Sequence, residues 1–190
     1  MNNASRCDSA VIDHITLLMQ TSDEEALTAI DDAMTQSPSD ARLHLLRGAM
    51  LAHQARYDEA ITALSRAVVL NPTLHMARFM LGYLEIVGNR PTEAIAIFSP
   101  LTADHGDEAI RLFATGLVNL LENRLTLAAK NLQAGLDLSP ASHPLGGYVH
   151  SVLEGIKETL GRRNDASQTA PTIEPGANHF LLADYLHRSH

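Results

Sequence analysis

One spacing constrains this chain more than any other feature: chemically equivalent residues return every 34 positions. Gly48 has counterparts at Gly82 and Gly116, and Ala60 at Ala26, Ala94 and Ala128. Leu64 stands in register with Ile30, Phe98 and Leu132, and Ala67 with Ala33, Leu101 and Gly135. Pro72 matches Pro38 and Pro140, with Gly106 between them, and no gap is needed anywhere. A fixed period in this range means one small unit, stacked on copies of itself, that cannot bury its apolar face alone. Each recurrent residue has a steric job. A glycine in a first helix, facing an alanine in a second, lets two helix axes approach closely. The larger apolar residue four places on (Leu64, Phe98, Leu132) fills the space beside that contact. A proline ends the second helix because it lacks an amide donor and its ring clashes with the preceding turn.

The template unit, residues 41–74, reads ARLHLLRGAMLAHQARYDEAITALSRAVVLNPTL. It predicts two short amphipathic helices joined by a turn at His53, Gln54, Ala55 and Arg56, with Tyr57 packed in the turn. The segments GAMLAHQARYDEAITALSRAVVLNP and GYLEIVGNRPTEAIAIF carry this pattern most clearly, and in them the chain resembles the tetratricopeptide-repeat family, whose period is 34. The resemblance covers four units, 7–40, 41–74, 75–108 and 109–142. It implies an all-α fold, a right-handed α-solenoid of about four helix pairs. The family's large residue early in the first helix is poorly kept, since His44 and Arg78 stand there, with Leu112 in the last unit. The first unit carries His14 in place of the glycine and reads as a degenerate capping repeat.

Taken in order, residues 1–6 are polar and expected to be flexible. Val11, Ile12, Ile15, Leu18 and Met19 recur at helical spacing after Asp8. Thr21, Ser22 and Asp23 form a turn and cap cluster, followed by acidic Glu24 and Glu25 in the next first turn. Ser39 and Asp40 cap the second unit. Gly88, Asn89, Arg90 and Pro91 make the third unit's turn, with Pro91 at a tolerated first helical position. Pro100 predicts that this helix ends early or kinks near Ser99. After Pro140 a solitary helix is expected over 144–161, with Leu145, Val149, Val152, Leu153, Ile156 and Leu160 on one stripe and Gly161 as its C-cap. A polar outer face suits it to cap the array. Residues 162–178 are polar, contain Pro171 and Pro175, and read as a linker. The tail, 179–190, holds Phe180, Leu181, Leu182, Tyr185 and Leu186, which fit one face of a short helix that would not be stable by itself.

Composition narrows the function class. Alanine and leucine dominate, aromatics are 4% and tryptophan is absent, which favours helix over sheet. The net charge is −8, and the sole basic cluster is Arg162 with Arg163, which argues against a nucleic-acid partner. The single cysteine, Cys7, excludes an internal disulfide and a cysteine-based zinc site. No secretory signal and no apolar run long enough to span a bilayer are evident, so a cytoplasmic location and no membrane insertion are expected. None of the ten histidines forms a chelating pair at i, i+4, and His187 with His190 lies near the tail's end. No phosphate-cradling glycine loop and no GxSxG occur. The expectation is a protein without enzymatic activity, cofactor or metal.

The resemblance also implies a binding surface. In the family, the second, fifth, ninth, twelfth and thirteenth residues of each unit line a concave groove. Carried onto this chain, these are Arg42, Leu45, Ala49, Ala52 and His53; Met76, Phe79, Tyr83, Ile86 and Val87; and Ile110, Phe113, Leu117, Leu120 and Leu121. The core of the expected groove is Leu45, Ala49, Met76, Phe79, Tyr83, Ile86, Ile110, Phe113 and Leu117. The set of lysine, asparagine and arginine with which some members grip a peptide's terminal carboxylate is absent from these positions, where Arg42 is the sole such residue. An apolar groove suits an apolar or amphipathic protein segment, as for an adaptor or chaperone. The alternative is a structural or assembly subunit whose groove is filled by its own tail, or by a second copy in a homo-oligomer.

Overall fold

A computed structural model describes residues 6–103, 106–139 and 143–166. Their helices are α1 (Ser9–Leu18), α2 (Asp23–Gln36), α3 (Ala41–His53), α4 (Tyr57–Leu70), α5 (His75–Val87), α6 (Pro91–Ala103), α7 (Glu108–Leu121), α8 (Leu125–Leu138) and α9 (Gly146–Ala166). The chain forms two compact units, Met1–Gly88 and Asn89–His190. The boundary falls inside the third repeat, between its two helices, and not between repeats.

The helix starts follow from capping chemistry. Asp8, Ser22, Asp40 and Asp107 each accept a backbone N–H of the first turn, satisfying a donor that the helix itself cannot. The turns inside the repeats are periodic too. Ala55, Asn89 and Asn123 have φ of 57°, 57° and 59° and lie 34 residues apart. At the ends of α3 and α7 this left-handed residue closes a Schellman motif. The Arg56 amide donates to the Leu51 carbonyl at 2.9 Å, and the Arg124 amide to Asn119 at 2.8 Å. Asparagine tolerates that backbone, whereas alanine is strained in it. Tyr57 opens α4 and is 40% exposed.

In the first unit, α3 and α4 pack as a pair, α2 lies against α3, and α5 adjoins both α4 and α3. Gly48 is the point of close approach: a Cβ there would lie 2.6 Å from Leu64 Cγ. Ala60, Leu64, Ala67, Leu43 and Leu51 are buried around it. In the second unit α7 pairs with α8, and α6 and α9 pack on either member. A Cβ on Gly116 would come within 2.5 Å of Leu132 Cδ2, and one on Gly135 within 2.6 Å of the Phe113 ring. Neither contact leaves room for a side chain.

Two helices depart from the expectation. α6 runs on through Pro100 to Ala103. Pro100 is exposed and leaves the carbonyl four residues before it without an amide partner in the helix. α9 spans Gly146–Ala166 instead of ending at Gly161. Gly161 lies inside the helix, flanked by the Glu158–Arg162 ion pair that bridges the same turn. Val149, Val152, Leu153 and Ile156 are buried, while Glu154, Lys157 and Glu158 are exposed. Pro140 and the tail lie outside the described residues.

Candidate protein-binding face

Helices α3 and α5 are neighbours within the first unit, and both are first helices of their repeats. The 34-residue register therefore sets Leu45 level with Phe79, Ala49 with Tyr83 and Ala52 with Ile86. Burial sorts these residues into two groups. Leu45, Ala49, Ala52, Met76 and Tyr83 are half-buried and present apolar surface. Phe79 and Ile86 are 1% and 6% exposed and belong to the core at the same face. The half-buried set is thus apolar, with two small residues, Ala49 and Ala52, among larger ones.

The residues expected from the fourth repeat lie elsewhere in character. Ile110 is 4% exposed, and Phe113 and Leu117 are fully buried. Phe113 is spoken for by intramolecular packing: its ring fills the space left by Gly135 of α8 and stands edge-on to His143, with centroids 5.6 Å apart. These three are core residues of the second unit, because a large apolar side chain at their positions gains more from the helix pair than from solvent.

A polar cluster borders the first unit's face, and the residue pattern gave no sign of it. Asp40 caps α3 by accepting the Arg42 amide at 3.0 Å. The Arg42 guanidinium returns to both Asp40 oxygens, at 3.0 Å through Nε and 2.6 Å through Nη2. The same Nη2 donates to the Cys7 carbonyl at 2.6 Å, and the Cys7 amide donates to Asp40 Oδ2 at 2.9 Å. The segment before α1 is thereby tied to the start of α3. Burial alone would raise the Asp40 carboxyl. The hydrogen bonds from the Arg42 side chain and from the Arg42 and Cys7 amides outweigh it and bring the pKa down to about 2. Burial pushes the Cys7 thiol up, reinforced by the Asp40 charge and opposed by Arg42. Asp40 was legible as a cap; its long-range partner was not, because nothing local marks Cys7 as a neighbour.

Among the described residues, no three His, Cys, Asp or Glu side chains gather as a metal site requires. Nor is any described helix long and apolar enough to cross a membrane.

Solved structures share this architecture. MamA 41-end from Desulfovibrio magneticus RS-1 is 19% identical, with a TM-score of 0.58 over 96% of this chain and 98% of that one. PilW, a widely conserved type IV pilus biogenesis factor, is 20% identical, with a TM-score of 0.66 over 100% and 89%. YrrB, a TPR protein with an unusual peptide-binding site, is 20% identical, with a TM-score of 0.56 over 94% and 91%. At such identity the likeness concerns the fold alone. No curated protein matches the chain in sequence. The tetratricopeptide repeat signature matches residues 24–75 and 77–143, well over half of the sequence. With its 34-residue glycine and alanine contacts, its paired helices and this match, the chain belongs to the tetratricopeptide-repeat family, an all-α fold of the solenoid class.

Proposed function

We propose that this protein is a non-enzymatic adaptor that binds a segment of another protein on the α3–α5 face. The observation that carries the reading is the half-buried apolar set Leu45, Ala49, Ala52, Met76 and Tyr83, shared by two neighbouring first helices. Phe79 and Ile86 support it from the core, and Ile110, Phe113 and Leu117 contribute stability to the second unit rather than contact. The small side chains of Ala49 and Ala52 leave space for a large apolar side chain of the partner to approach α3. Each such anchor, fully buried, is worth about 1.5–3 kcal/mol. A few anchors, after association costs, correspond to affinities of about micromolar. An amphipathic helix or an apolar extended strand presents anchors at suitable spacing. That YrrB, of similar fold, is described as having a peptide-binding site supports a ligand of this class. A chaperone role in the cytoplasm is a narrower form of the same reading.

The test is affinity capture from the source cells, with Ala49→Arg placing bulk and charge on the face. Wild-type chain should retain specific proteins that the variant loses by at least tenfold, with both showing the same thermal melt. Equal capture by the two chains rejects the assignment of this face.

A further inference from the structure

We infer that the outer flank of α1 docks a cationic amphipathic helix of another protein. The inference does not depend on the reading of the α3–α5 face. The repeat register shows which flank of a first helix meets its second helix. A Cβ on Gly48 would strike Leu64 of α4, and one on Gly116 would strike Leu132 of α8. Leu51 of α3 and Asn119 of α7, one turn further on, are buried as well. The equivalent residues of α1 are His14 and Leu17. With Ala10 before them they are exposed, Leu17 by 58%. α1 is seated instead through Ile15, which is buried with Ala26 and Ile30 of α2 and Leu43 of α3. Ile15 lies one residue, or about 100°, further round the helix than His14. The flank that pairs with a second helix elsewhere is thus left without a partner. Ala10, His14 and Leu17, bordered by exposed Val11, have the i, i+4, i+7 spacing at which one helix meets another.

Charge selects the occupant. Residues 7–40 contain eight Asp and Glu and no Lys or Arg. Asp40 and Asp31 are paired with Arg42 and Arg47 of α3, and Asp23 lies 3.8 Å from His53. Among the described residues, Asp13, Glu24, Glu25 and Asp32 meet no cation. Asp13 stands one turn before Leu17 on the same helix. The Ser22 amide donates to the Leu18 carbonyl at 2.8 Å, which holds the start of α2, with Glu24 and Glu25, against the last turn of α1. The exposed leucine is therefore flanked by carboxylates. Lys and Arg of an occupant would meet them, whereas nucleic acid and anionic lipid are repelled. A second copy of this chain would bring like charges together across a twofold axis. A helix with an apolar stripe bordered by Lys and Arg fits both the apolar flank and its charge.

The experiment uses the full chain and a labelled helical peptide of leucine and lysine, with leucines at i, i+3, i+4 and i+7 spacing. An isomer of the same composition with its leucines shuffled is the control. Fluorescence anisotropy should show the peptide binding about tenfold more tightly than the isomer. Leu17→Ser should weaken peptide binding about fivefold with an unchanged thermal melt. D13N/E24Q should make the binding less sensitive to salt than in wild type. Bound peptide should slow amide exchange in α1 and the first turn of α2, and leave α7 and α8 as they were. Equal binding of peptide and isomer overturns the inference, since bulk charge alone would then explain it. So does wild-type affinity in Leu17→Ser, or protection confined to other helices. A concentration-dependent doubling of mass that Leu17→Ser abolishes also overturns it, by placing a second copy on the flank. Ala49→Arg should leave peptide binding unchanged. A loss there would move the peptide to the α3–α5 face, so the two sites fail separately.

Discussion

The first and fourth helix pairs are built from the same 34-residue pattern, yet they are held in different ways. In the fourth pair, Gly116 lets Leu132 of α8 sit where a side chain would otherwise be. The turn between its helices closes on Asn123 in the left-handed region. In the first pair, His14 occupies the glycine's place and is exposed. Its turn, around Gln20 and Thr21, has no left-handed residue. Ile15, Ala26, Ile30 and Ala33 still form a core with Leu43 and Met50 of α3, with Cys7 at its edge. What the first pair lacks in close packing is offset by the polar tie from Cys7 to Asp40 and Arg42. Glycine contact and polar tie are thus two solutions to seating a first helix. One is internal to a repeat; the other reaches into the next.

The sharpest way to break the comparison is to fill the glycine. Gly116→Val places side-chain atoms inside Leu132 and should cost about 3 kcal/mol, from overpacking and the shift it forces. His14→Val, at the equivalent but exposed position, should change stability by less than about 0.5 kcal/mol. Chemical denaturation of the two variants checks the pair. Equal losses would mean that the first pair is seated by the same contact as the fourth.

The next effect in size belongs to the polar tie. Asp40→Ala removes an N-cap and leaves the Arg42 guanidinium without its carboxylate, at a cost of about 1–3 kcal/mol. Amide exchange should quicken in α1 and at the start of α3, while α7 and α8 stay protected. The tie also has a pH signature. The Asp40 pKa is depressed in the folded chain to about 2, against 3.8 ordinarily. Its contribution is therefore fully present above pH 4 and is lost as the pH falls towards 2. Protection in α1 should fade over that window in wild type, and the Asp40→Ala chain should show no such step.

The smallest effect tests the turn. Ala55 bears the left-handed backbone that asparagine bears at 89 and 123. Ala55→Asn should stabilise by about 0.5–1 kcal/mol, since asparagine visits that region at less cost. A lower melting temperature would show that something other than backbone strain sets the turn.

Much of this architecture was legible in the residues. Gly48, Gly116, Ala60 and Leu64 sit where a 34-residue period places close contacts, and helix starts at Ser22 and Asp40 follow from capping. The residues expected to line the groove fall into two groups by burial. Period gives a residue's direction on a helix, so Leu45, Ala49, Met76 and Tyr83 emerged together. It does not give what packs over that direction, so Phe79, Ile86, Ile110, Phe113 and Leu117 were grouped with them although they are buried. Pro100 did not end its helix early: α6 continues to Ala103. The Cys7 tie was invisible because its partners are 33 and 35 residues away and leave no periodic trace.

That separation has a consequence in time. A chain grows at about 5–20 residues per second. Cys7 is made 33 residues before Asp40, and the guanidinium that grips its carbonyl comes later still. For those few seconds α1 has α2 beside it but not yet α3. Its tie therefore waits on a later repeat, whereas the Gly116–Leu132 contact is complete within one.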